Sequence, residues 1–256
     1  MGLGGGSPDE TSEALWADRV AGMRLACWQS GLAGIAPTNA AWRRMVARCS
    51  DNHIDLLVAP EFAVGGLPHT AAAAKASSVT DSSSLAGLVQ GAATSLALVV
   101  GFTEQSETGL HSSAALVLNG QTRVVSRKVH PREPGISSGG LSITFDVAGV
   151  RCGALLCADA RDPALAATLA ADGARVLICL LNNDVRHHTA DKWLVLTERA
   201  LADRARENRC WVISADVAGR TSQRRGLGAT RIYDPAGDLV SASSDAPETG
   251  IVFDLL

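Results

Sequence analysis

An α/β fold with a mixed sheet is predicted from three observations. Short apolar runs rich in Val, Ile and Leu alternate with stretches of helical periodicity, the rhythm of strands buried on both faces. Three strand, helix, strand units can be marked off in order, which calls for parallel pairing. An Asn119-Gly120 pair between two alternating runs adds an antiparallel hairpin, so the sheet cannot be wholly parallel.

The first unit opens with the strand MRLACWQ, residues 23–29. TNAAWRRMVARCSDN follows, with Ala41, Met45 and Cys49 on one helical face, and then the strand IDLLVAP. In the second unit a helical SSLAGLVQGAATS precedes the strand SLALVVGF, after which SAALVLNGQTRVVSRK forms the hairpin. The third unit joins VRCGALLC to ARVLICLL through DPALAATLAADG. Asp162 is placed to cap that helix, Pro163 fits its first turn, and Gly173 can end it with positive φ. TADKWLVLTERALADRARENR carries Trp193, Leu196, Ala200 and Leu201 opposite its charges and reads as a long amphipathic helix. CWVISA, ATRIYDPAGDLVSA and TGIVFDLL supply the remaining strands, with DPAG as a turn. AAAAKASS is read as a low-complexity loop.

Composition excludes several function classes. The 256 residues are 46% hydrophobic and 19% charged, enough to bury a sizeable core. Net charge is −3 with scattered basic residues, so there is no positive stripe for nucleic acid. No apolar run approaches the roughly 20 residues of a membrane helix, so no membrane partner is expected. Residues 1–20, with their Gly-rich start, read as a flexible N-terminal tail that is neither signal peptide nor phosphate cradle. Six cysteines lie dispersed in mostly apolar segments, which fits a reducing, cytoplasmic setting better than disulfides or zinc. The adjacent His187 and His188 point in different directions and do not suit a metal.

Reactive side chains gather where ligands of α/β sheets bind, beyond the carboxyl ends of strands. Glu61 follows IDLLVAP, Lys128 ends RVVSRK, and Cys157 ends VRCGALLC just ahead of a helix. Taken singly, Cys157 is a packed thiol and Glu61 a surface acid. Lys128 is harder to dismiss, because the chain holds 20 Arg and only 3 Lys, and a compact titratable ammonium is what Arg cannot provide. Past the next strand, LLNND offers Asn182, Asn183 and Asp184 either as polar substrate contacts or as an ordinary strand-to-helix loop.

VAPEF, SRKVH and GVRCGALLCADARDP, in that order, resemble the nitrilase or carbon-nitrogen hydrolase superfamily. The likeness extends to the strand ending in Trp28-Gln29, to VVGF, RARENRCWVISA and GLGATRIYDPAGDLV, and to TGIVFDL, so it spans almost the whole chain. It implies a four-layer α-β-β-α sandwich over residues 21–256, and a homodimer or larger homo-oligomer. It also implies a catalytic triad of Glu61, Lys128 and Cys157, with Glu133 as a second acid and the pocket lined by Asn182 and Asn183. The family places an aromatic or polar residue after the cysteine. Here that residue is Ala158, which leaves only its backbone N–H for the oxyanion.

The implied reaction is hydrolysis of a small linear amide or N-carbamoyl compound through a thioester, without cofactor or metal. A nitrile substrate is the alternative with the same triad, and a non-catalytic binding or scaffold protein is the alternative from another class. The chemistry requires Glu61 to have a pKa raised by burial, helped by Glu133 and opposed by Lys128. A reactive Cys157 with a lowered pKa is expected.

Overall fold

The computed structural model describes residues 22–32 and 39–255; the expected tail lies outside them. Strand β1 (Met23–Gly31) leads to helix α1 (Ala40–Asp51), whose first N–H groups are capped by the Asn39 side chain, and to β2 (Leu56–Val58). Helix α2 (Ala71–Ala76) occupies the stretch expected to be a low-complexity loop. Five alanines with high helix propensity, capped by Thr70 Oγ1 accepting from Ala73 N–H at 3.0 Å, are enough to wind it. The following stretch, expected to be helical, forms a 3₁₀ helix over Ser82–Val89, in keeping with its three serines and Gly87.

The hairpin is formed by β3 (Ala97–Ser106), β4 (Gly109–Leu118) and β5 (Gln121–Arg127). Asn119 and Gly120 both take positive φ, as the tight turn between β4 and β5 requires. The chain continues through β6 (Phe145–Val147), β7 (Val150–Leu156), α3 (Pro163–Ala171), β8 (Val176–Leu180), β9 (Asp184–Arg186) and α4 (Ala190–Asn208). The remaining strands are β10 (Trp211–Ala215), β11 (Val217–Arg220), β12 (Arg224–Leu227), β13 (Arg231–Tyr233), β14 (Leu239–Ala242) and β15 (Thr249–Leu255). Asp162 accepts from Ala164 N–H at the start of α3, and Gly173 follows its end with a φ of 91°, both as expected.

Two mixed sheets result. One runs β5-β4-β3-β2-β1-β11-β12-β9 with β15 also paired to β1, and the other runs β14-β13-β10-β8-β7-β6. Their facing sides share one apolar core, in which Leu25, Cys27 and Val58 meet Leu156, Ile178 and Ile213. Alternate residues of the same strands point outward. Ala26, Leu57 and Leu98 pack on Trp42, Met45 and Cys49 of α1, while Leu155, Leu177 and Cys179 pack on Leu169 of α3 and Leu201 of α4. That double coverage is why these strands read as unbroken apolar runs, and it gives the four-layer α-β-β-α sandwich. The buried side of α4 is set by Ala190, Thr197, Leu201 and Ala205, so the predicted stripe is rotated and Leu196 is 39% exposed. Among the described residues no helix is long and apolar enough to cross a membrane.

Candidate active site

The acid comes from the first sheet. Beyond β2, Pro60 and Glu61 pass so close to β3 that a Cβ on Gly101 would lie 2.5 Å from both Glu61 Cα and the Pro60 carbonyl. Gly101 N–H instead donates to that carbonyl at 3.1 Å. The Glu61 backbone is tied across to the second sheet, its N–H donating to Leu181 O at 3.1 Å and its C=O accepting from Asn182 Nδ2 at 3.0 Å. The side chain is 1% exposed, and its Oε1 accepts from Ser112 Oγ at 2.6 Å and lies 2.8 Å from Lys128 Nζ.

Lys128 leaves the end of β5 and is equally buried at 1% exposure. Its N–H donates to Ser112 O at 2.8 Å, and its ammonium also reaches Glu133 Oε1 at 2.7 Å. Two of three ammonium protons are therefore engaged by carboxylates, and one is left over. Burial alone would discharge this lysine, but Glu61, Cys157 and Glu133 outweigh it and hold its pKa above the ordinary value. Glu61 itself is pushed up to about 7 by burial, with Lys128 opposing and Glu133 assisting, the balance the chemistry calls for.

Cys157 comes from the second sheet, one residue beyond β7. It begins a 3₁₀ turn (Cys157–Arg161) and takes a φ of 42°, a conformation that side chains other than glycine adopt only when held there. Asp159 does much of the holding. Its two carboxylate oxygens accept from Val129 N–H and His130 N–H, each at 2.9 Å, which fastens the turn to the residues after Lys128. Five cysteines are buried and Cys157 alone is part-exposed. It lines a cavity of about 280 Å³ together with Lys128, Glu133, Ala158, Asn182 and Asn183. Every predicted site residue except Glu61 thus lines this one cavity, and Glu61 joins it through Lys128.

The thiol departs from expectation. Its pKa is raised to about 12, first by burial and then by the Glu61 carboxylate, while Lys128, the Asn182 N–H and Arg161 pull the other way without prevailing. A lowered pKa would need an uncompensated cation beside the sulfur, and Lys128 is already shared between two acids. Cys157 is a neutral thiol at rest.

A match to the Carbon-nitrogen hydrolase model extends over residues 24–255. The chain belongs to the carbon-nitrogen hydrolase family. Over 106 residues, 40% of the chain, it is 30% identical to the putative protein YbeM of Escherichia coli (strain K12) and to the deaminated glutathione amidase of Escherichia coli O157:H7. The chain spans about half the length of the first and 36% of the second. A crystal structure of an amidase from Nesterenkonia sp. is 21% identical with a TM-score of 0.74, covering 93% of this chain and 91% of that one. The likeness shows that this carbon-nitrogen hydrolase shares that amidase's fold.

Several residues escaped the sequence reading. Ser112 and Gly101 sit in strands whose ladder partners were not assigned, although the polar pair Ser112-Ser113 inside an apolar run was a signal. Asp159, two residues after the cysteine, was legible as a carboxylate but not its target. Asp216 was not singled out. It is fully buried, and its Oδ1 accepts from Asn183 N–H and Val217 N–H while its Oδ2 accepts from Asn183 Nδ2 and Ala229 N–H, all within 3.0 Å. Asn183 is accordingly held by Asp216, whereas Asn182 braces Glu61 and keeps a buried Oδ1 without a hydrogen-bond partner.

Proposed function

We propose that this carbon-nitrogen hydrolase cleaves a small linear amide or N-carbamoyl compound through a thioester on Cys157. The observation that carries the reading is the Lys128 ammonium, fixed 2.8 Å from Glu61 and 2.7 Å from Glu133 in a cavity shared with the part-exposed Cys157. A neutral thiol beside a base of pKa about 7 suits general-base attack, in which the proton leaves sulfur as the S–C bond forms.

Sγ attacks the amide carbon and its proton passes to Glu61. The oxyanion is met by the free proton of Lys128 Nζ and by the N–H of Ala158, which as a first-turn donor of the 3₁₀ helix has no partner within that helix. Preorganised donors of this kind are worth roughly 3 to 4 kcal/mol each. The C–N bond breaks, Glu61 returns its proton to the leaving nitrogen, and ammonia or an amine departs. Water then adds to the thioester, giving its proton to Glu61. Collapse expels the sulfur, which takes that proton back, and the acid is released. The fold neighbour from Nesterenkonia has been solved in complex with butyramide, which supports an amide as the reacting group.

The test is ammonia release from a panel of small amides, ureido acids and nitriles, with Cys157→Ala and Lys128→Arg alongside. One substrate class is expected to turn over, with both variants losing at least about 10³-fold in kcat, the scale on which a nucleophile or an oxyanion donor acts. Turnover that survives Cys157→Ala overturns the thioester. A preference for nitriles over amides replaces the substrate class.

A further inference from the structure

The outer face of the nine-stranded sheet carries a second cavity, larger than the one at Cys157, of about 450 Å³. The pairing of β1 with β15 makes it. Three cross-strand pairs, Arg24 with Asp254, Ala26 with Val252 and Trp28 with Gly250, share one face of these strands. On that face the small Ala26 and Gly250 leave a trough, which Met45 and Cys49 of α1 flank. Arg44 and Arg48 lie one turn apart on the same helix, about 6 Å between their Cβ atoms, and both line the cavity.

Two polar atoms in its walls are buried without a partner. Trp28 is 3% exposed and its Nε1–H meets no acceptor, whereas the neighbouring Trp42, also buried, donates from Nε1 to Leu88 O at 2.9 Å. A buried indole N–H ordinarily finds an acceptor. Arg24 Nε is likewise without a hydrogen bond, with Asp254 Oδ1 3.4 Å away. The charge of the lining points the same way. Arg24, Arg44 and Arg48 stand against one acid, Glu248, and neither Arg44 nor Arg48 has a carboxylate within salt-bridge distance among the described residues.

We propose that this cavity binds a phosphate monoester with a small apolar or aromatic body. Such a ligand brings nearly two negative charges at neutral pH, and its oxygens are the acceptors that Trp28 Nε1, Arg24 Nε and the guanidinium forks of Arg44 and Arg48 lack. Met45, Ile54 and Val252 give the body an apolar wall, and a cavity of several hundred Å³ holds a ligand of that size. A monocarboxylate would offer one charge to three arginines, so the dianion is the better match. The site binds and does not turn over. It shares no lining residue with the Cys157 cavity, and its one thiol, Cys49, is kept neutral by burial, which pushes its pKa up to about 12. The inference is independent of the reaction proposed at Cys157.

Calorimetric titration of the full chain at about pH 7.5, where a phosphate monoester is mostly a dianion, compares three probes. They are phenyl phosphate, the monoanion benzenesulfonate and the neutral benzyl alcohol. Phenyl phosphate is expected to bind with a Kd below about 1 mM and about tenfold or more tighter than benzenesulfonate, while benzyl alcohol shows no saturable binding. Arg44→Ala and Arg48→Ala together are expected to weaken it by about 30-fold or more, and Trp28→Phe, which keeps a ring and removes the N–H, by about fivefold. Arg43→Ala, exposed on α1 but outside the lining, is expected to leave the affinity unchanged. The site is overturned by a lack of saturable binding, by equal affinity for benzenesulfonate, or by an affinity that survives loss of Arg44 and Arg48. A loss in Arg43→Ala as large as in the paired variant also overturns it, because the attraction would then belong to the basic helix surface as a whole. None of these readouts depends on ammonia release, so the site stands or falls apart from the hydrolase reading.

Discussion

Glu61 must take a proton in one half of the proposed reaction and release it in the other, and a pKa of about 7 permits both near neutrality. The sign of the pH dependence follows. Below that pH Glu61 is protonated and cannot receive the thiol proton, so kcat/KM is expected to fall about tenfold per unit as pH drops below 7. Glu133→Gln removes the like charge that helps raise Glu61 and leaves Lys128 to pair with Glu61 alone. Both effects move the acid limb toward lower pH, and a pH–rate profile of the variant reads the shift directly. A limb that stays in place would mean that another group titrates. The neutral thiol matters here as well: a cysteine already ionised at pH 7 would need no base, and its rate would not track the Glu61 titration.

At the scale of elements, each reactive group is aimed by a local device that the ladder alone would not supply. Gly101 allows the Glu61 segment to lie against β3, and a methyl group there meets backbone atoms at 2.5 Å, which no rotamer can relieve. Gly101→Ala is expected to cost about 1 to 3 kcal/mol of stability and most of the activity, measured by denaturant melting and ammonia release. Asp159 pins the positive-φ turn to the Lys128 segment, so Asp159→Ala is expected to lower kcat by at least tenfold while leaving most of the stability intact. The strands themselves were largely legible, because burial on both faces writes an unbroken apolar run and the Asn119-Gly120 turn has one cheap conformation. Glu61, Lys128 and Cys157 were legible through their order along the chain. What pairs with what was not: Ser112 on Glu61 and Asp159 on Val129 and His130 are contacts between residues far apart in sequence. The thiol pKa was misread because the sequence does not reveal that burial, and after it the Glu61 carboxylate, outweighs Lys128 at the sulfur.

Across the whole molecule, the candidate site exists only because two sheets are held in one register. Glu61 and Lys128 extend from the nine-stranded sheet and Cys157 and Asn182 from the six-stranded one, so a slide between sheets would separate base from nucleophile. The chain crosses between them several times near the site, and Asp216 is the residue at the crossing between β10 and β11. Its four accepted hydrogen bonds gather Val217 at the start of β11, Ala229 ahead of β13 and the Asn183 loop of the cavity around one carboxylate. Removing the carboxylate strands three buried backbone N–H groups and one side-chain amide, each worth roughly 1 to 3 kcal/mol when left unpaired. Asp216→Ala is therefore expected to lower Tm by at least roughly 10 °C, given about 2 to 4 °C per kcal/mol in a chain of this length. At a temperature where the variant remains folded, it should also raise KM, because Asn183 loses both of its anchors. A variant that melts early yet binds and turns over substrate normally would show that the crossing supports the fold without setting the site.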